Sequence, residues 1–153
     1  MIHLSLTGVR EIDAYLKGLP LVFQDKIMVQ AHKEAAEPLV RAAQAFVKVK
    51  TRNLERSIGA VGLGSFSMKR TDQIGVVTVG PRRKGGFKGF HGHLVEFGTK
   101  PRYTKTGKYT GVMPKLPFME PAFKATAKIV EGRIADSLGR KITAFTKKIL
   151  KHG

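Results

Sequence analysis

Residues 91–99 read HGHLVEFGT. His91, His93 and Glu96 are side chains of the type that hold zinc, two imidazoles and a carboxylate close together in the chain. Such a site needs three or four ligands on rigid elements. Here the histidines flank Gly92 beside a glycine-rich loop, and His3, His32 and His152 stand at no ligand spacing. We therefore expect no metal at His91, His93 and Glu96. Other chemistries fare no better. The chain has no cysteine, so disulfides and thiolate zinc sites are excluded. It has no Gly-x-Ser-x-Gly, and GGFKGF lacks the Gly-Lys-Ser/Thr that closes a phosphate-binding loop. A metal-dependent nuclease would need clustered acids. Asp13, Asp25, Glu34 and Glu37 instead look like helix surface. We expect no enzymatic activity and no cofactor.

Charge points elsewhere. The 153 residues carry 28 Lys and Arg against 11 Asp and Glu, a formal net charge of +17. Residues 1–40 hold four basic and five acidic side chains, and residues 41–153 hold 24 and six. A basic field of that size suits a polyanion, most simply nucleic acid, or an acidic protein surface. A solvated basic face is the plain alternative. The stretch RRKGGFKGF interleaves Arg82, Arg83, Lys84 and Lys88 with Phe87 and Phe90. Cations can neutralise phosphates and aromatic rings can stack on bases, so these four cations are the candidate contacts to DNA or another anionic partner. The stretch is not a standard nucleic-acid-binding motif.

The elements that must position these residues follow from periodicity. IHLSL at 2–6 alternates as a half-buried strand does. Thr7 can cap a short helix with Val9, Ile12, Leu16 and Leu19 at helical spacing, ended by Gly18 and Pro20. A long helix is expected over 21–48, with Phe23, Ile27, Ala31, Ala35, Leu39, Ala42 and Phe46 on one face. Pro38 should kink or split it. TRNLERSI reads as a capped turn, with Thr51 or Asn53 as the cap, into a strand. IGAVGL at 58–63 and IGVVTV at 74–79 are strand-like, and 64–73 links them as a hairpin loop. Basic, glycine-rich stretches at 81–93 and 100–116 read as flexible loops, the second with Tyr103 and Tyr109. A C-terminal helix over 118–150 carries Phe123, Ala127, Val130, Ile134, Leu138, Ile142, Phe145 and Ile149 as its apolar stripe, with a break expected near Gly139. One domain is expected over 1–153. Its class is α+β: a small antiparallel sheet against a long kinked helix and the C-terminal helix. No secretory leader and no membrane span are expected.

The order of segments resembles the tail-completion family of long-tailed bacteriophages, whose members are also described as head–tail joining or minor tail components. The resemblance covers roughly residues 20–130. It rests on an alanine-rich helix with Pro38 inside it and a Val-x-Thr-Gly-Asn-Leu-x-x-Ser-Ile turn matched by Val49 to Ile58. It rests also on a strand ending at Val79 to Pro81, the Val95 to Thr99 element, and Pro117 to Ala122 before the last helix. The chain departs from the family in the turn. Lys50-Thr51-Arg52 stands where an acid and a glycine are usual, which implies an altered turn geometry. The insertion at 100–112 is also longer than usual.

The resemblance implies a structural neck protein. It would form a ring, six copies being the expected number, between the head-closure or connector protein and the tail terminator. Double-stranded DNA would pass through its channel. It implies a place in the virion neck or tail, after assembly in the host bacterial cytoplasm. Glu96, Phe97, Gly98, Thr99, Tyr103, Tyr109, Met113 and Pro114 become the candidate subunit or neck interface. Phe97 is expected to pack on the core, Gly98 to supply a turn conformation other residues resist, and Glu96 to pair with an arginine of its own chain or of a neighbour. A freestanding basic nucleic-acid-binding protein is the alternative, and a metal hydrolase would require bound metal.

Overall fold

The structure is a computed structural model that describes residues 17–18, 21–48, 52–62, 75–84 and 86–152. The strand expected at 2–6, the turn residues Val49 to Thr51 and the link 64–73 lie outside the described residues. So does the short helix from Thr7, apart from Lys17 and Gly18. In chain order the elements are α1 (Leu21–Ala35), α2 (Glu37–Phe46), α3 (Asn53–Ser57), β1 (Ile58–Gly62), β2 (Val77–Pro81), α4 (Gly92–Phe97), β3 (Arg102–Tyr103), β4 (Tyr109–Gly111) and α5 (Met119–His152). β1 pairs with β2, and β3 pairs antiparallel with β4. The expected α+β class holds: helices, a small antiparallel sheet and a long C-terminal helix.

Pro38 splits the first long helix. It has no N–H to give the carbonyl of Glu34. The helix ends at Ala35, Ala36 N–H still donates to His32 O at 2.9 Å, and helix resumes at Glu37. In α2 the proline falls in the first turn, where a missing donor costs nothing. Asn53–Ser57 forms the short helix α3 rather than only a turn, and its N-cap position is Arg52, with no side-chain cap bond, rather than Asn53.

The chain divides into two compact units. One takes α1, Val61–Thr78 and the chain from Ile129 onward. In it Ile27, Ala31 and Ala35 of α1 are buried. Asp25 Oδ1 accepts the N–H of Gly75 at 2.9 Å, and His32 Nδ1 lies 2.6 Å from Gly75 O. A carbonyl only accepts, so Nδ1 carries the proton. Gly75 sits at φ 72°, a conformation glycine adopts freely. Glu34 ion-pairs with Lys141 and accepts a hydrogen bond from the buried Ser137 Oγ at 2.7 Å, and the Phe23 and Phe145 rings meet at 5.5 Å. These contacts lie on either side of Gly139, and α5 runs through it unbroken, contrary to the expected break. A glycine costs about 1 kcal/mol in a helix, and the anchors at 137, 141 and 145 outweigh it.

The other unit takes Glu37–Ala60 and Val79–Lys128. Its core is Ala43, Val47, Leu54, Ile58, Val95, Phe118 and Ala122, with Leu39, Val40, Met113 and Leu116 packed at its margin. Gln44 Nε2 donates to Ile58 O at 3.2 Å, tying α2 to β1. Phe118 is 1% exposed, whereas Phe123 is 54% exposed and does not belong to the core. The buried positions run Phe118, just before α5, then Ala122 and Thr126 of α5, at every fourth residue. An apolar stripe started at Phe123 is out of register with them.

Candidate functional site

The element HGHLVEFGT is a helix with a bent exit. α4 covers Gly92–Phe97. Gly92 is buried because a Cβ there would meet Pro81 Cγ at 2.5 Å and Leu54 Cδ1 at 3.2 Å. His91 meets the Phe90 ring edge-on at 5.2 Å and His93 is exposed. No group of three or more His, Asp or Glu side chains converges among the described residues.

Glu96 is buried, 7% exposed, and its partner is a helix terminus rather than an arginine. Its Oε2 accepts the N–H groups of Phe118 at 2.8 Å and Met119 at 2.9 Å, and its Oε1 accepts that of Glu120 at 3.1 Å. The first N–H groups of a helix have no partner within it. In α5 the next residue, Pro121, has no N–H at all, and Ala122 N–H already reaches Phe118 O at 3.4 Å. One carboxylate therefore satisfies the free donors of that turn. The helix dipole favours its negative charge there. Leu116 N–H donates to Val95 O at 2.9 Å beside it.

The chain leaves α4 through Gly98 at φ 72°, ψ −174°, a region essentially reserved for glycine. A Cβ there would also stand 3.0 Å from Lys115 N and Met113 O. Thr99 then grips Met113 twice: its N–H donates to Met113 O at 3.0 Å, and its Oγ1 accepts Met113 N–H at 2.9 Å. That pair closes the base of a β-hairpin, so 100–116 is not wholly irregular. Arg102 faces Gly111 and Tyr103 faces Tyr109 across β3 and β4, with an irregularity in register between them. The two tyrosine rings lie 5.5 Å apart and are 63% and 54% exposed. Residues 101–110 are all exposed, and no acid occurs from Phe97 to Met119, where Lys100, Arg102, Lys105, Lys108 and Lys115 do. Phe97 is 73% exposed, so it does not pack on the core as expected. The helix turns Val95 and Glu96 inward, and Phe97, next in line, points to solvent.

The structure thus gathers Glu96 to Thr99, Met113 and Pro114 at the root of the hairpin and puts Tyr103 and Tyr109 on it. The four loop cations divide. Arg83, Lys84 and Lys88 are exposed. Arg82 is not a free cation: its Nε donates to Ser57 O at 3.0 Å, its Nη2 to Arg56 O at 3.2 Å, and its guanidinium lies 3.6 Å from the centre of the Phe87 ring. It pins the glycine loop to the end of α3, and Gly89 N–H closes that loop on Arg82 O at 3.1 Å.

Two further features stand beside the hairpin root, one with no sign in the sequence and one signalled there only as an altered turn. One is an open groove of about 620 Å³ beside the hairpin root. The other is Arg52, which precedes α3 at φ 55°, ψ 0°, the left-handed region. The only signal for it was the arginine standing where the resembling family carries glycine.

No helix among the described residues is long and apolar enough to cross a membrane. No curated protein and no solved structure matches the chain. A family model does, the one described as "Bacteriophage HK97-gp10, putative tail-component", over residues 10–98. The match takes in α1 to α4 and ends at Gly98, so Pro117 to Ala122 and the hairpin lie beyond it. With more than half of its length matched, the chain belongs to the HK97-gp10-like family and is a tail-associated structural protein of a bacteriophage virion.

Proposed function

We propose that the protein completes the neck: copies of it form a ring, six by expectation, between the head connector and the tail terminator, around the DNA channel. Its role is assembly, with no catalytic turnover and no cofactor. The family match over residues 10–98 carries this reading. The hairpin supports it physically. A braced root at Glu96, Gly98, Thr99 and Met113 holds a projecting ribbon whose Tyr103 and Tyr109 are exposed. Large exposed rings suit burial against a neighbouring subunit or neck protein. In the ring, Phe97 and Pro114 join that contact, and Arg83, Lys84 and Lys88 face the channel DNA. Double-stranded DNA presents a dense row of phosphates to such cations.

The test is a phage lacking this gene, complemented from a plasmid, with particles viewed by negative stain. Loss of the protein should give full heads and finished tails that fail to join, and the complementing protein should be found at the neck. Normal joined particles without it would overturn the reading. The net charge of +17 favours a second reading, a freestanding nucleic-acid-binding protein. That protein would bind duplex as a monomer or dimer, with affinity falling steeply with salt, and would be absent from purified virions.

A further inference from the structure

The open groove lies within the second unit; the neck proposal uses Met113 and Pro114 at its edge and leaves the rest of its lining without a role. Val47, Leu54 and Val95, all buried residues of that unit, supply its apolar wall with Met113 and Leu116. Lys48, Arg52 and Arg102 are exposed on its lining, against the one carboxylate of Glu55. Arg52 holds the left-handed conformation, which a residue with a Cβ adopts only at a cost. Glycine would sit there without strain. Strain retained at the edge of a concave surface points to a use for the side chain itself.

We infer that this groove receives a segment of a neighbouring virion protein in which apolar side chains are flanked by carboxylates. The apolar wall calls for side chains to bury, which excludes a duplex as the occupant, since its outer surface is phosphate. The rim calls for acids. A second copy of this chain supplies them poorly: of the eight acids among the described residues, Asp25, Glu34, Glu37, Glu96 and Glu120 are already bonded within their own chain, and Glu55 belongs to the groove itself. Two chains of +17 also repel. The inference rests on membership in a virion assembly and is independent of the ring.

The full-length protein can be tested with a fluorescein-labelled peptide alternating glutamate and leucine, and with a control carrying serine for each leucine. Fluorescence anisotropy at about 0.15 M salt limits long-range attraction. The leucine peptide should bind about tenfold more tightly than the serine peptide. Arg52→Gly should raise Tm yet weaken that binding about tenfold, Arg52→Lys should keep most of it, and Val112→Glu, on the exposed lining, should abolish it. Arg83→Ser with Lys84→Ser should leave it unchanged. Equal binding of the two peptides would reduce the effect to net charge and overturn the inference. So would an Arg52→Gly protein that binds as before. Sedimentation covers the remaining occupant: if the chain self-associates and Val112→Glu dissociates it, a second copy fills the groove and the choice of partner is wrong. Joined or unjoined particles in the neck test change none of these outcomes.

Discussion

Removing the Glu96 carboxylate is the sharpest test of how this structure is held. Glu96 accepts three backbone N–H groups at 2.8 Å, 2.9 Å and 3.1 Å from the start of a 34-residue helix. In Glu96→Ala those donors lose their acceptor, the Phe118 N–H in a buried position and the other two where the site is partly open. Loss of a helix cap costs about 1–2 kcal/mol, and loss of a favourably placed charge at a partly buried helix end costs up to about 2 kcal/mol more. Bonds that share one carboxylate are not additive, so the expected total is about 3 kcal/mol. For a chain of this size that lowers Tm by roughly 6–12 °C. Glu96→Gln separates charge from shape. Its carbonyl oxygen can still take the Phe118 and Met119 N–H groups, but its NH2 then confronts the N–H of Glu120, so it should lose about half as much.

Thermal melts give the totals, and amide exchange gives the place. The amides of Phe118, Met119 and Glu120 should exchange faster in Glu96→Ala, while those of α1, in the other unit, should change little. If Glu96→Ala melts within about 2 °C of the wild type, the clamp contributes nothing and the account of the hairpin root fails with it. If Gln equals wild type while Ala does not, the cap is real but its charge is irrelevant.

Five further outcomes follow from the same structure. Arg82→Ser should cost about 1–3 kcal/mol, since two backbone carbonyls lose a charged donor. Serine at the exposed Arg83, Lys84 and Lys88 together should change stability by roughly 0–1 kcal/mol yet yield heads and tails that fail to join; denaturant titration and particle counts read the two effects. Gly98→Ala should cost about 2–3 kcal/mol by denaturant titration, because the backbone there excludes a Cβ twice over, by its angles and by Lys115 and Met113. Phe118→Ala should cost about 3–5 kcal/mol and Phe123→Ala no more than about 0.5 kcal/mol, a contrast that soluble yield would already reveal. Hydrogen bonds from Lys141 and then Ser137, helped by the charges of Lys141 and Arg140, hold the Glu34 carboxyl below its ordinary value of 4.5. A lowered folded value means stability that is present above that ordinary value and lost as pH falls through the folded one. Urea midpoints should therefore fall below about pH 4.5, with a shallower fall in Glu34→Gln; Glu34 is half exposed, so the difference is small.

What the sequence made legible was local. Pro38 announced a helix break because a missing donor acts on its own chain four residues back. Gly98 announced its turn because a positive φ is a property of one residue. The strands β1 and β2 were visible in their β-branched residues: β1 begins at Ile58 as expected, and β2 runs Val77–Pro81 against an expected 74–79. The rest depended on where separate segments meet. Phe118 and Phe123 both lie at the start of α5, and only the packing of that helix decides which ring is inside. Arg82 looked like its neighbours Arg83 and Lys84 because nothing local says that a guanidinium will find the carbonyls of Arg56 and Ser57, some 25 residues earlier. Gly139 looked like a break because propensity counts about 1 kcal/mol against it and cannot count the anchors on either side.

Glu96 shows the same limit most clearly, and turns it into a reading of the basic surface. A lone acid among cations invites an ion-pair interpretation, because unlike charges attract at any distance. Burial changes the choice of partner. A carboxylate removed from water needs several short hydrogen bonds, and an exposed lysine cannot supply them without being buried as well. A helix N-terminus can, since its N–H groups are already fixed and already lack acceptors. The acid is thus consumed inside the fold, and no carboxylate occurs among residues 97–119 beside the cations from Lys100 to Lys108, while Lys115 at the root keeps Glu120 at 4.0 Å. The hairpin from Lys100 to Lys108 therefore reaches its surroundings as a positive ribbon, held at its root by an acid that does not neutralise it.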